Sequence, residues 1–127
     1  LTVENYRDIL ANEAITSALI TTLWVSVGGT AATLLLAAFT AYAFAWLEFP
    51  GRDWLFLCVV ALLVVPVQMT LIPLFSLYND VGLFDTVLGL ILFHTAFGLP
   101  FSIFLLRNFF LGIPKDLFEA GRIDGGS

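Results

Sequence analysis

The sequence predicts an all-α membrane protein, a polytopic bundle of helices. Three observations predict it. Sixty per cent of the residues are hydrophobic and only 12% are charged, against roughly half and a quarter in soluble domains. The mean hydropathy is +0.99. Finally, the ionisable residues are gathered between three long stretches that contain no Asp, Glu, Lys or Arg: Ala14 to Leu47, Trp54 to Asn79 and Thr86 to Leu106.

Each stretch reaches the ~20 apolar residues that a helix needs to cross the hydrocarbon layer. An ionised side chain at a helix centre would cost about 3 kcal/mol on insertion scales, which explains its exclusion. Barrel strands are only ~10 residues long and alternate in polarity, so runs of this length specify helices. The expected spans are 15–47, 54–78 and 86–110, preceded by an outward-facing segment over 1–13. The first stretch exceeds one crossing, so its early part is expected at the interface or beyond the membrane. The connections are short: "EFPGRD" carries the turn signal Pro50-Gly51, and "NDVGLFD" sets Gly82 between two acids. Tight connections of this kind make consecutive spans antiparallel neighbours. The sequence begins without methionine and ends within a pattern, so it is expected to be part of a longer chain.

Orientation follows the basic residues. Arg107, Lys115 and Arg122 come after the third span and Arg52 lies between the first two, whereas the opposite side holds only Arg7. The ends at Arg52 and Arg107 are therefore expected to be cytoplasmic. Five scattered basic residues and a net charge of -5 make no phosphate-binding surface, so nucleic acid is not an expected partner. Cys58 is the single cysteine; it reads as a small buried hydrophobe, and no internal disulfide or cysteine-rich metal site is available. No cofactor, metal site or catalytic group is expected.

Within the spans, Gly29, Thr33, Ala37, Ala41 and Ala45 recur every fourth residue and lay a strip of small side chains along one helix face. Such strips let helix backbones approach in lipid; a sliding surface between moving helices is the alternative. Pro66 and Pro73 interrupt the second stretch, "VVPVQMTLIPLF", and encourage a bend. Pro100 does the same in the third. Gln68 and His94 are the candidate residues of a polar path through the spans; a structural hydrogen bond between helices is the competing role for each.

The terminal "GIPKDLFEAGRIDGGS" reads as a short helix. Pro114 suits its first position, Asp116 favours the dipole in the first turn, and Gly125 and Gly126 supply a stop. Leu117, Ala120 and Gly121 share one side, and Glu119 can pair with Arg122. Gly121 costs a helix about 1 kcal/mol relative to alanine, which is tolerable where another backbone must come close. One small apolar side with charged edges is a surface suited to docking.

At these residues a resemblance emerges. "EAGRIDGGS" is similar to the "EAARIDGAS" form of the EAA loop in inner-membrane permease subunits of binding-protein-dependent ABC importers. "LRNFFLGIPKDLF" resembles the lead-in to that loop. "YAFAWLEFPGRD", "VPVQMTLIPLF" and "LTVENYRDIL" resemble the carbohydrate branch that contains the second maltose-permease subunit. The resemblance covers essentially the whole sequence. It implies a partial MetI-like permease core holding the family's second to fourth spans, with 113–127 opening the EAA coupling loop. It also implies docking of a cytoplasmic ATPase by Glu119, Ala120, Gly121, Arg122, Asp124 and Gly125. Gly121 and Gly126 stand where the family has alanine, which loosens the helix.

The implied partners are a dimer of ATP-binding ABC subunits, a second permease subunit, an extracytoplasmic solute-binding protein and the lipid bilayer of a bacterial or archaeal inner membrane. The sequence has no G-x-x-x-x-G-K-[ST] loop, so ATP hydrolysis is expected on a partner chain. The rival class is a secondary carrier driven by an ion gradient. Such carriers place acids or bases within their spans, and here only His94 offers itself. An intramembrane enzyme is weaker still, since neither H-E-x-x-H nor G-x-S-x-G is present.

Overall fold

The computed structural model describes residues 3–114, and among these every regular element is helical. A short helix, α1 (Val3–Ala11), leads into the longest, α2 (Glu13–Trp46). Asn12 separates them by capping α2: its side-chain oxygen accepts from the Ala14 amide at 3.0 Å. The Thr16 hydroxyl donates to the Leu10 carbonyl at 3.0 Å and ties the two helices across the break. The 34 residues of α2 give it a length of about 50 Å. That exceeds the ~30 Å hydrocarbon core, so part of the helix extends beyond one crossing.

Leu47 leaves helical geometry at the C-terminus of α2, and Gly51 turns the chain with φ 81°. Then follow α3 (Arg52–Ala61), a 3-10 turn (Leu62–Val64) and α4 (Val67–Asp80). Where the sequence reading draws a single span over 54–78, the structure bends α3 and α4 by 97° at Val65–Pro66. Pro66 has no N–H to donate to Leu62, so the Val65 amide takes that carbonyl at 3.2 Å in a tighter turn. A residue before proline disfavours helical ψ, and Val65 is extended at ψ 117°. The helix continues through Pro73.

The α4 C-terminus closes in a Schellman motif: Leu83 N donates to Tyr78 O at 2.8 Å and Gly82 N to Asn79 O at 3.3 Å. Gly82 sits at φ 70°, the left-handed position that this cap requires. Phe75 and Phe84 meet edge to face across the turn at 4.7 Å. Thr86 then caps α5 (Val87–Leu111), accepting from Gly89 N at 2.9 Å and donating to Leu83 O at 2.7 Å. Gly89 is obligatory here, because a Cβ at that position would collide with the Leu83 carbonyl oxygen.

The tertiary structure is dominated by α2 against α5; α3 touches both, and α4 stands away from them. Gly28 lies against Ile91, Gly29 against His94, Thr33 against Gly98 and Phe44 against Arg107. Partner numbers rise together, so α2 and α5 run parallel, offset by about 64 residues in sequence. The start of α5 is thereby level with the early third of α2. The segment from 47 to 86 must return over roughly 37 Å of helix length, bent or not. This geometry makes α3 and α4 a broken return between the two ends of the pair rather than a loop that re-enters one end. Both α2 and α5 are long and apolar enough to cross a membrane.

Candidate functional site

The parallel seam is built on the small-residue strip. Gly29, Ala37 and Ala41 are buried, the two alanines completely, and Ala37 packs in one cluster with Phe44 and Ile103. A four-residue repeat drifts around a helix that turns every 3.6 residues. By the last turn the strip has rotated, so Ala45 is only half buried and Phe44 has taken its place at the seam. Small residues permit close approach, as at Gly98, where a Cβ would stand 3.4 Å from the Thr33 methyl.

Two arginines converge on the α2 C-terminus. Arg107 of α5 donates from Nε to the Phe44 carbonyl at 3.4 Å, and its guanidinium lies 4.1 Å from the centre of the Phe56 ring of α3. Arg52 donates from Nη1 to the Leu47 carbonyl at 3.3 Å. Helix C-termini leave unpaired carbonyls and carry partial negative charge, and α2 has no basic residue in its own last turn. The two cations supply this from outside the helix. Around them Phe44 packs on Phe49 and Phe56, with ring centres 6.0 and 5.6 Å away, and Phe56 stacks over Phe104. One cation–aromatic knot thus joins α2, α3 and α5 at the end from which residue 114 leads on. The sequence reading used both arginines for orientation only; a lone arginine ending a charge-free span, with phenylalanines in all three neighbouring segments, is the signal that was available.

The two predicted path residues are not brought together. His94 lies on the α2–α5 groove, its Nδ1 2.8 Å from the Leu90 carbonyl, and shares that groove with Ser26, Thr30, Thr33 and Ser102. Gln68 is exposed near the start of α4, past the bend, and does not line the groove. Sequence reasoning missed Ser26 and Thr30, although their spacing of four on one helix face was legible. Thr95, one residue beyond His94, is 7% exposed, and its hydroxyl has no hydrogen-bond partner among the described residues. Among the described residues no group of three or more His, Cys, Asp or Glu is placed to hold a metal. The predicted docking residues Glu119, Ala120, Gly121, Arg122, Asp124 and Gly125 lie outside the described residues.

Comparison with known proteins decides the family. No protein-family model matches the chain. The chain is 50% identical over 123 residues to the osmoprotective compounds uptake permease protein GgtD of Synechocystis, covering 97% of this chain and 41% of that protein. It is 48% identical over 131 residues to the alpha-glucoside transport system permease protein AglG of Rhizobium meliloti, covering 99% and 34%. The trehalose transport system permease protein SugB of Mycobacterium tuberculosis matches at 39% over 127 residues, covering 100% and 46%. The chain belongs to the ABC transporter permease family. It spans less than half the length of these relatives, and within that length its all-α architecture with two membrane-length helices is that of a partial MetI-like permease in a multi-pass membrane protein. An ion-driven carrier finds no support among the permeases it matches. For a permease, a parallel pair of spans pinned at one end and open along a polar groove is a mechanically sensible unit.

Proposed function

We propose that this permease chain forms part of an ATP-driven importer in the inner membrane of a bacterial or archaeal cell, carrying a sugar or related solute. The observation that carries the reading is the 50% and 48% identity, over nearly the whole chain, to permease proteins of uptake and transport systems. In this reading α2, the broken α3–α4 segment and α5 make three crossings, and the end pinned by Arg52 and Arg107 faces the cytoplasm. The concentration of basic residues at that end supports the orientation.

Residues 113–127 then open the coupling loop. Glu119, Ala120, Gly121, Arg122, Asp124 and Gly125 dock a separate ATPase dimer, which hydrolyses the ATP. A second permease subunit completes the path, and an extracytoplasmic binding protein delivers the solute. Closure of the ATPase pair moves the docked loop, and the knot at Arg107 passes that movement to α2, α3 and α5 together. The bend at Pro66 gives the return segment a place to flex.

Glu119 is the principal docking charge in this scheme. Losing one member of a buried interfacial charge pair costs about 2–5 kcal/mol. In the assembled transporter, Glu119→Lys is expected to abolish solute-stimulated ATPase activity while the subunit still inserts at normal abundance. Wild-type stimulation in that variant would refute the docking role.

A further inference from the structure

We infer that the groove between α2 and α5 is a subsite for a neutral polyhydroxylated solute, held by Ser26, Thr30, Ser102 and His94. The inference rests on the transport reading above and places the solute on particular atoms of this subunit.

The groove is open along one side and offers about 420 Å³, within the ~300–1,000 Å³ typical of small-molecule sites. Ser26 and Thr30 stand one turn apart on α2; His94 and Ser102 stand about two turns apart on α5. Gly29 lies between them, with room for an ordinary contact to the His94 Cβ.

What sets these residues apart on α2 and α5 is that their hydroxyls gather with His94 around one groove. Thr22, Thr33 and Thr40 each donate to the carbonyl four residues back, at 2.8, 2.7 and 2.8 Å. That is the ordinary way for a hydroxyl to be satisfied within a span. Ser26, Thr30 and Ser102, like Ser17 and Thr21 nearer the start of α2, make no hydrogen bond among the described residues, so their hydroxyls are open to a partner. Three open hydroxyls lining one groove can each exchange a hydrogen bond with a polar occupant.

His94 adds an acceptor. A carbonyl can only accept, so the 2.8 Å contact with Leu90 O calls for a proton on Nδ1, and in that tautomer Nε2 is the acceptor. The groove therefore offers three groups that both donate and accept and one that accepts. No charged side chain lines it. Several hydroxyls on an uncharged solute match that set, whereas an ionic solute would find no counter-charge.

The test uses the complete transporter, with its ATPase and binding protein, in proteoliposomes. Wild-type uptake is measured first across a panel of mono-, di- and oligosaccharides and polyols that includes trehalose, methyl α-glucoside and glycerol; ATP-driven uptake of no member of the panel would overturn the transport reading itself. Cysteines are then placed by S26C, T30C and S102C in a Cys58→Ser background, with L35C and F39C as references. Leu35 and Phe39 are 61% and 75% exposed, and Phe39 lies opposite Thr30 on the helix. Modification by a charged, water-soluble thiosulfonate is expected to be at least ~10-fold faster at positions 26, 30 and 102 than at the references, and slowed by the transported solute. Thr30→Val and Ser102→Ala are expected to raise KM about 3- to 10-fold each, the worth of one hydrogen bond. ATP-driven uptake combined with slow modification at all three positions, no protection by solute, or an unchanged KM in both variants would overturn the subsite while leaving the transport reading intact.

Discussion

Replacing Arg107 by alanine is expected to loosen three helices at once. Its guanidinium reaches the Phe44 carbonyl at a long 3.4 Å, so that bond falls below the ~1.5–3 kcal/mol of a well-placed charged donor, at about 1 kcal/mol. The 4.1 Å approach to the Phe56 ring adds between about 0.5 and 2 kcal/mol according to desolvation. Arg107 is half buried, which favours the middle of that range. A cation at the α2 C-terminus contributes a further ~0.3–1 kcal/mol. These share one group and overlap, so the expected loss is about 2–3 kcal/mol. Arg107→Lys retains the charge near the helix end but not the planar face over the ring, and about 1 kcal/mol should go. Reversible denaturation of the purified subunit in mixed detergent–SDS micelles measures both. A double-mutant cycle with Phe56→Leu isolates the ring contact, with a coupling of about 0.5–2 kcal/mol expected. A coupling indistinguishable from zero, or a loss below about 0.5 kcal/mol for Arg107→Ala, would refute the knot as a stabilising element.

Two further substitutions probe other links. Gly89→Ala is favoured by about 1 kcal/mol on helix propensity, yet its Cβ collides with Leu83 O and displaces the Thr86 cap; a net destabilisation of about 1–2 kcal/mol is expected by the same denaturation assay, and a stabilised variant would contradict the capping geometry. Ala37→Leu forces a large side chain into a seam position with no exposed surface and is expected to cost about 1–3 kcal/mol, whereas Phe39→Leu on the exposed face is expected to change stability by less than ~0.5 kcal/mol; equal effects would show that α2 does not pack through the small-residue strip.

Much of this was legible in the sequence because lipid is a severe solvent. Charge-free runs of adequate length announce α2 and α5, and the small residues at every fourth position mark the face that α2 presents to α5. Pro66 announces a break. Its size was not legible: the 97° bend arises from the 3-10 turn and the extended Val65 together, and proline alone is equally compatible with a mild kink. The parallel pairing was implicit in two tight turns around one return segment. The candidate site was harder to read. Gln68 and His94 are both polar residues in apolar runs, and nothing in a one-dimensional pattern shows that the bend carries Gln68 away from the groove that His94 lines. Arg107 was visible as a charge, but its partners, the Phe44 carbonyl and the Phe56 ring, are 63 and 51 residues away and only folding brings them together.

The reading as an ATP-coupled permease stands or falls at Glu119. Cysteine introduced by Glu119→Cys in the Cys58→Ser background, within the assembled transporter, can be cross-linked to the ATP-binding subunit in inverted membrane vesicles. The account predicts a cross-link whose yield changes between nucleotide-free and ATP-bound states, with position 119 shielded from reagents applied to the outer face. A cysteine there that reacts freely from outside and never joins the ATPase would contradict it.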